Sequence, residues 1–330
     1  MSRSAQESAP ASSPAMQAPV TIVPYADEWK GRWDEFVDRS RNGTFLFRRD
    51  YMEYHRDRFE DHSLLILDDG RLLALLPANR ADRQIVSHGG LTYGGVVVDE
   101  AMTCAKMLTV LDALCDALKR EGLSELIVKT VPHIYHRQPA AEFDYAAFRR
   151  DAVLYRRDVT TAVVPAQRPR WQQRRLRSLK KAEAAGVTCR VGDDFTAYWR
   201  LLEVNLATVH QLRPVHTVDE MRLLQQRFPD TIRLYSAWLG GEMVAGVIVY
   251  DTPQVAHAQY TASSDAGRAC GALDLLFHHL LSDVFAGKPF FNFGVSTEDE
   301  GRWLNEGLVA FKEGFGGRTI THDFYRFTLD

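Results

Sequence analysis

The chain has 330 residues, 45% of them hydrophobic and 25% charged, with a formal net charge of −3. That length has room for two domains of roughly 150 residues each, and the mild acidity excludes a uniformly basic nucleic-acid binder, so DNA is not expected as a partner. No apolar run approaches the roughly 18 residues needed to cross a membrane, and no membrane span is expected. Cys104, Cys115, Cys189 and Cys270 show no CxxC spacing. They read as reduced structural residues of a cytoplasmic protein.

Residues 1–19, MSRSAQESAPASSPAMQAP, are rich in Ser, Ala and Pro and lack the apolar core of a secretory signal. They read as a disordered leader. VTIVPY (20–25) reads as a short strand, and Trp29, Trp33, Phe36 and Val37 fall at i, i+4, i+7 and i+8 of the helix after it. A second helix is expected to start at Asp50, with Glu53 at capping-box spacing. The turn Asp69-Gly70 joins SLLILD to RLLALLP, and a strand ending near Tyr93 follows. Then come an apolar helix over about 102–120, Gly122 and the strand SELIVKTV. Residues 165–186 read as a linker and a basic helix carrying Arg168, Arg170, Arg174, Arg175, Arg177, Lys180 and Lys181, closed by Gly186.

The remainder repeats that layout at a period of about 167 residues, and self-similarity of this kind outranks local propensity. VTCRV (187–191) matches the opening strand, and Phe195, Trp199, Leu202, Leu206 and Val209 form the helical stripe. A helix from Thr217 has Glu220 three residues on, Gly240-Gly241 turns IRLYSAWL into EMVAGVIVYD, and a strand runs through Tyr260. The helix 273–285, Gly287 and PFFNFGV close the copy. Both copies read β-α-α-β-β-β-α-β, an α+β (mixed α/β) order implying a mostly antiparallel sheet flanked by helices. A Rossmann sheet is rejected, because it would need a helix after nearly every strand and a GxGxxG turn after the first. The expected divisions are 1–19 leader, 20–164 N-terminal domain, 165–186 basic linker and helix, and 187–330 C-terminal domain.

That order is the core order of the Gcn5-related N-acyltransferase (GNAT) fold, and two tandem copies resemble its Fem-type branch, which includes peptidoglycan-bridge aminoacyltransferases. FFNFGVSTEDEGRWLNEGLVAFKEGFGG (290–317) is similar to that branch's strand, glycine turn and FK-x-x-FG segment. RRLRSLKKAEAAGV (174–187) resembles the basic helix opening its second domain. LTYGGVVV (91–98) and VPHIYHRQP (131–139) resemble segments of bacterial relatives thought to act in surface-polysaccharide synthesis. The resemblance implies tandem GNAT-like domains and an N-acyltransferase of the cell envelope. Acyl-CoA, acetyl-CoA first, is its implied co-substrate, and no cofactor is held permanently. The long coiled-coil arm of some bridge-forming members has no counterpart, which ranks charged tRNA behind acyl-CoA as donor.

In that fold a Q/R-x-x-G-x-G/A loop at a helix start cradles the donor's pyrophosphate with backbone N–H groups. Arg268, Gly271 and Ala272 stand at the matching place, with Leu273 replacing the small final residue. The strand VAHAQYTAS (255–263) carries His257, a candidate base, and Tyr260, a candidate acid toward the leaving group. Lys312 is a candidate for holding phosphate or the developing oxyanion, with Arg318 past the glycines that follow it. Glu298, Trp303, Asn305 and Glu306 are candidates for reading an amino-sugar acceptor. The glycines around Tyr93, and Tyr135 past the next strand, place acceptor contacts in the first copy, where Asp99 and Glu100 replace the donor loop. Arg174 and Arg175 could meet a nucleotide diphosphate. The spacing of His88, His133 and His136 fits no metal site.

The function expected is direct transfer of an acyl group, acetyl first, from a thioester to an amine of an envelope or polysaccharide precursor such as a nucleotide-linked amino sugar. A hydroxyl acceptor ranks second. Two alternatives stand open: aminoacyl transfer from charged tRNA, and a non-catalytic nucleotide-sugar binding protein.

Overall fold

A computed structural model describes residues 20–167, 169–207 and 214–329. The expected leader at 1–19, Arg168 and Val209 lie outside the described residues. Val20–Pro24, Leu64–Asp68, Arg71–Leu76 and Val97–Val98 form a four-stranded antiparallel sheet in the first half. Asp69 and Gly70 both take positive φ, 50° and 73°, which is the mirror-image turn that matches strand twist.

The expected strand ending near Tyr93 is corrected. Residues 79–81 and 84–86 make a short hairpin, and 87–96 form an irregular loop. A Cβ on Gly94 would lie 1.7 Å from the Ser87 carbonyl oxygen, so the chain folds onto itself there and cannot extend. The expected cap at Asp50 is corrected too. The helix Arg49–Met52 has no side-chain cap, because Glu53 pairs with Arg49 (2.9 Å) and Asp50 with Lys30 (3.0 Å). At Thr217 and Glu220 the reciprocal capping box does form, with bonds of 3.2 and 2.7 Å.

The second sheet has eleven strands. Thr188–Gly192, Ile232–Leu239, Glu242–Asp251, Val255–Ser263 and Phe290–Val295 lie side by side from one edge. Next come Val153–Val163, Arg318–Thr328 and Glu125–Lys129, then the short strands of the first half. Val153–Val163, the last strand before the basic linker, has Phe290–Val295 on one side and Arg318–Thr328 on the other. The last strand of the chain in turn pairs with Glu125–Lys129. Each half thus closes its sheet with a strand from the other.

Packing joins the halves as well. Phe45 and Tyr51 lie 5.5 and 6.1 Å from Tyr250, ring centre to ring centre, inside one shared buried cluster. The helix Cys104–Arg120 covers the first-half sheet with Met107, Val110, Leu111, Leu114 and Leu118. In the second half Phe277 of the helix Ala272–His279 packs against Phe291, Phe293, Phe311 and Phe315. No helix among the described residues is long and apolar enough to cross a membrane.

Candidate functional site

The strands Val255–Ser263 and Phe290–Val295 run parallel but pair over only three positions, the last being His257 with Asn292. Beyond that point they diverge. Gly294, at φ 79°, turns the second strand away, and the Asn292 carboxamide oxygen accepts both the Gly294 N–H and the Thr160 hydroxyl, each at 2.7 Å. The first strand bulges at the same level. Ala258 faces Val249 and Tyr260 faces Ile248, so Gln259 is the extra residue. Its side-chain oxygen is buried with no partner among the described residues. The result is a wedge whose wall offers backbone groups free of a ladder, as an acyl carbonyl would need.

Three residues singled out in sequence meet at the apex. Tyr135 and His257, 122 residues apart, share a 3.0 Å bond between the phenol and Nδ1. The Tyr93 ring stands 4.6 Å from that of Tyr135, and its hydroxyl donates to Thr44 Oγ1 at 3.0 Å. Burial, with the charges of Lys312 and His322 nearby, pushes His257 down to about 4, so its imidazole is neutral at neutral pH. Lys312 is only 5% exposed. Its Nζ donates to the carbonyls of Gly294 and Val295 (2.8 Å each) and to Ser296 Oγ (2.7 Å). All three N–H groups are therefore spent on the diverging turn, so Lys312 braces the wedge. Burial pushes it down to about 7.

Tyr260 is joined by a residue that sequence reasoning missed. Its hydroxyl lies 2.6 Å from His216 Nδ1 and accepts the His216 backbone N–H at 3.4 Å. Tyr54 stacks on the same imidazole at 5.5 Å. Nothing in periodicity marked His216, which stands one residue before a helix cap. Burial pushes it down to about 4 and Tyr260 up to about 12.

The expected pyrophosphate loop packs against the basic helix. Gly271, left-handed at φ 83°, and Ala272 are buried, and a Cβ on Gly271 would lie 2.4 Å from the Ser178 carbonyl oxygen. This glycine lets the helix Gln173–Ala184 sit directly on the loop. Arg175 of that helix pairs with Asp274 at 2.9 Å beneath it, and Arg174 donates to the Ala310 carbonyl at 2.8 Å. Arg268 is tied to Asp265 (2.5 Å), Asn205 (2.9 Å) and the Ser263 carbonyl (2.6 Å). Gly271→Ala is expected to destabilise the protein by about 2 kcal/mol or more, from the left-handed backbone and the clash together. Gly287→Ala, where nothing lies within 4 Å, should stay within about 0.5 kcal/mol of wild type. Urea midpoints of the two variants check this.

The polar stretch after the wedge forms a two-stranded hairpin in which Glu298 faces Trp303. Trp303 is 52% exposed, and the strained turn holds Asp299 and Glu300 at φ 47° and 50°. Asn305 bonds Glu298 (3.2 Å) and caps the helix Glu306–Glu313 through Leu308 N (3.0 Å). Arg318 is exposed and donates to the carbonyl of Gly317, at 2.7 Å. Glu298, Trp303, Asn305, Glu306 and Arg318 thus flank Lys312 along the chain, and none is a ring or hydrogen-bond partner of Tyr135 or His257.

Residues 168–302 match the family model described as an acetyltransferase (GNAT) domain. Among solved structures the chain is similar to FemX, with a TM-score of 0.65 at 11% identity over 93% of this chain and 97% of that one. It is also similar to the C-terminal domain of a protein from Agrobacterium fabrum described as a lysylphosphatidylglycerol synthetase, with a TM-score of 0.59 at 13% identity over 91% of each chain. A tandem GNAT protein of the clavulanic acid pathway gives 0.51 at 13% identity, over 94% of this chain and 99% of that one. No curated protein matches the sequence. The fold is that of tandem GNAT domains in the Fem-type arrangement, and the matched domain supports an N-acyltransferase.

Proposed function

We propose that the chain moves an acyl group, acetyl first, from a thioester donor to an amine of a cell-envelope or polysaccharide precursor, such as a nucleotide-linked amino sugar. The observation that carries this reading is the wedge opening at His257 and Asn292, with its bulge at Gln259. The amine nitrogen attacks the thioester carbonyl, and the oxyanion forms against backbone N–H groups of the wedge. The C–S bond then breaks, and the thiolate takes a proton from the Tyr260 hydroxyl. His216 with a proton on Nδ1 would donate to the Tyr260 oxygen and leave that hydroxyl free to act. His257 takes the proton from a nitrogen already bonded to carbon, so a weak base suffices.

The burial of Gly271 and Ala272 under the basic helix favours a second reading. An aminoacyl ester on tRNA needs no pyrophosphate cradle at that loop, and FemX is among the similar folds. The two readings share the wedge and differ in the donor.

Thermal-shift titration with acetyl-CoA, longer acyl-CoAs, UDP-amino sugars and bulk charged tRNA separates them. A ligand at 100 times its Kd stabilises by roughly 2.7 kcal/mol. We expect a shift with an acyl-CoA, and Tyr260→Phe should keep that shift while transferring about a hundredfold more slowly. A shift with charged tRNA alone moves the function to the second reading. A shift with a nucleotide sugar and with no donor overturns transfer altogether.

A further inference from the structure

A cavity of about 480 Å³ opens where the strands Glu125–Lys129, Val153–Val163 and Arg318–Thr328 meet. Lys129, Arg156, Asp158, His322 and Val295 are among the residues that line it. Lys129 is 8% exposed and donates to the Leu91 carbonyl. His322 is 3% exposed, and its Nε2 has no partner among the described residues. Asp158 is the one carboxylate among the described lining residues. It is already taken, by Arg156 at 3.1 and 2.8 Å and by the Thr297 hydroxyl at 3.0 Å. The Arg156 guanidinium lies over the Phe324 ring at 4.4 Å, which fixes its plane at the cavity wall.

The electrostatics of this cavity are lopsided. A buried amine and an orphaned imidazole stand beside the Arg156–Asp158 ion pair, with no further carboxylate among the described lining residues. Burial, and then the charge of Arg156, push Lys129 down to about 7, so its surroundings support the ammonium poorly. A second cation, such as a substrate ammonium, would be repelled. An oxyanion would give His322 Nε2 the partner it lacks and would accept charge-assisted bonds from Lys129 and Arg156 beyond those they make to Leu91 and Asp158. The cavity also touches the wedge, because the Val295 that lines it has its carbonyl held by Lys312 at 2.8 Å.

We propose that this cavity is the acceptor subsite for a carboxylate or phosphate oxyanion, bound by Lys129 Nζ, His322 Nε2 and Arg156. This rests on the acyl-transfer reading for the meaning of "acceptor": the anionic group anchors the substrate while its amine reaches the wedge past Val295. The binding itself requires no donor.

The test therefore uses the full chain without any acyl donor. UDP, inorganic phosphate and glucuronate are titrated in turn, with uridine as the neutral control, and melting temperature and the Lys129 13Cε NMR titration are followed. We expect at least one anion to raise the melting temperature and to raise the Lys129 titration midpoint, with uridine inert. A response to UDP or phosphate identifies a phosphate anchor, and one to glucuronate a carboxylate anchor. Lys129→Met and His322→Gln should each weaken that binding by about tenfold or more. Arg156→Gln, altering a side chain at the rim, serves if either buried variant folds poorly. No response to any of the three anions, an equal response to uridine, or unchanged affinity in the variants overturns the proposal. Since no donor is present, failure of acyl transfer cannot produce those outcomes.

Discussion

Lys312→Met is expected to destabilise the protein by about 2–4 kcal/mol and to slow acyl transfer by about a hundredfold. Methionine keeps the apolar stem but offers no donor. The carbonyls of Gly294 and Val295 and the Ser296 hydroxyl, now served at 2.7–2.8 Å, lose their partner together. The Ser296 hydroxyl is buried, and an unsatisfied acceptor there costs roughly 1 kcal/mol or more, with a smaller loss at each part-buried carbonyl. The kinetic loss has a separate origin. Those acceptors belong to the turn that carries the second strand away from His257, so releasing it shifts one wall of the wedge. A displacement of about 1 Å there costs about 10²-fold in rate. Urea unfolding reads the first effect. Transfer kinetics with the donor found by titration read the second, and should show a fall in kcat larger than any rise in KM. A variant as stable as wild type would mean that the brace contributes nothing.

Acid unfolding is the second large effect. Burial pushes His55, His216, His257 and His322 down to about 4 and His88 to about 3, from 6.5. Neither His55 nitrogen has a partner among the described residues. The folded state holds these rings neutral, while the unfolded chain protonates them near pH 6.5. Their contribution to stability is fully present above pH 6.5 and is lost as pH falls through about 4. Lys129 and Lys312, held near 7 when folded and 10.5 when unfolded, act in the same direction, so stability rises further between pH 7 and 10.5. Asp144, raised to about 6 by burial, opposes the trend by taking a proton in the native state. Discounted for relaxation around the charged rings, the net loss from pH 6.5 to 4.5 is on the order of 5 kcal/mol. Urea midpoints at pH 7, 6 and 5 should fall steeply at a constant slope. A flat profile would show that these histidines are not buried in solution.

Local features were legible in the chain where neighbours in sequence act on each other. The capping box at Thr217 and Glu220 and the turn at Asp69-Gly70 formed as read, and of the helical stripe Trp33, Phe36 and Val37 are buried on the helix while Trp29 stands at its N-cap. The Gly271 signal was ambiguous for a physical reason. A glycine that lets a ligand approach and one that lets a helix approach are the same residue, and only the position of Ser178 separates them. Asp50 shows the same limit in a cap, where spacing alone could not foresee that Lys30 and Arg49 would claim both carboxylates.

The sequence by itself indicated the repeated order of elements apart from the strand near Tyr93, because hydrophobic period and turn chemistry act over a few residues and recur in both halves. It also singled out Tyr135, His257, Tyr260 and Lys312, but not His216 or Lys129. Only the tertiary structure decided who meets whom. A strand's alternating pattern says which face is buried but not which strand lies beside it, so the exchange of Val153–Val163 into the second-half sheet left no mark in the pattern. The Tyr135–His257 bond and the Lys129–His322 cavity bring residues of the two halves together, and the His216–Tyr260 pair forms by packing within the second half. Contacts across 122 residues arise from the closing of a sheet, which no local stretch encodes.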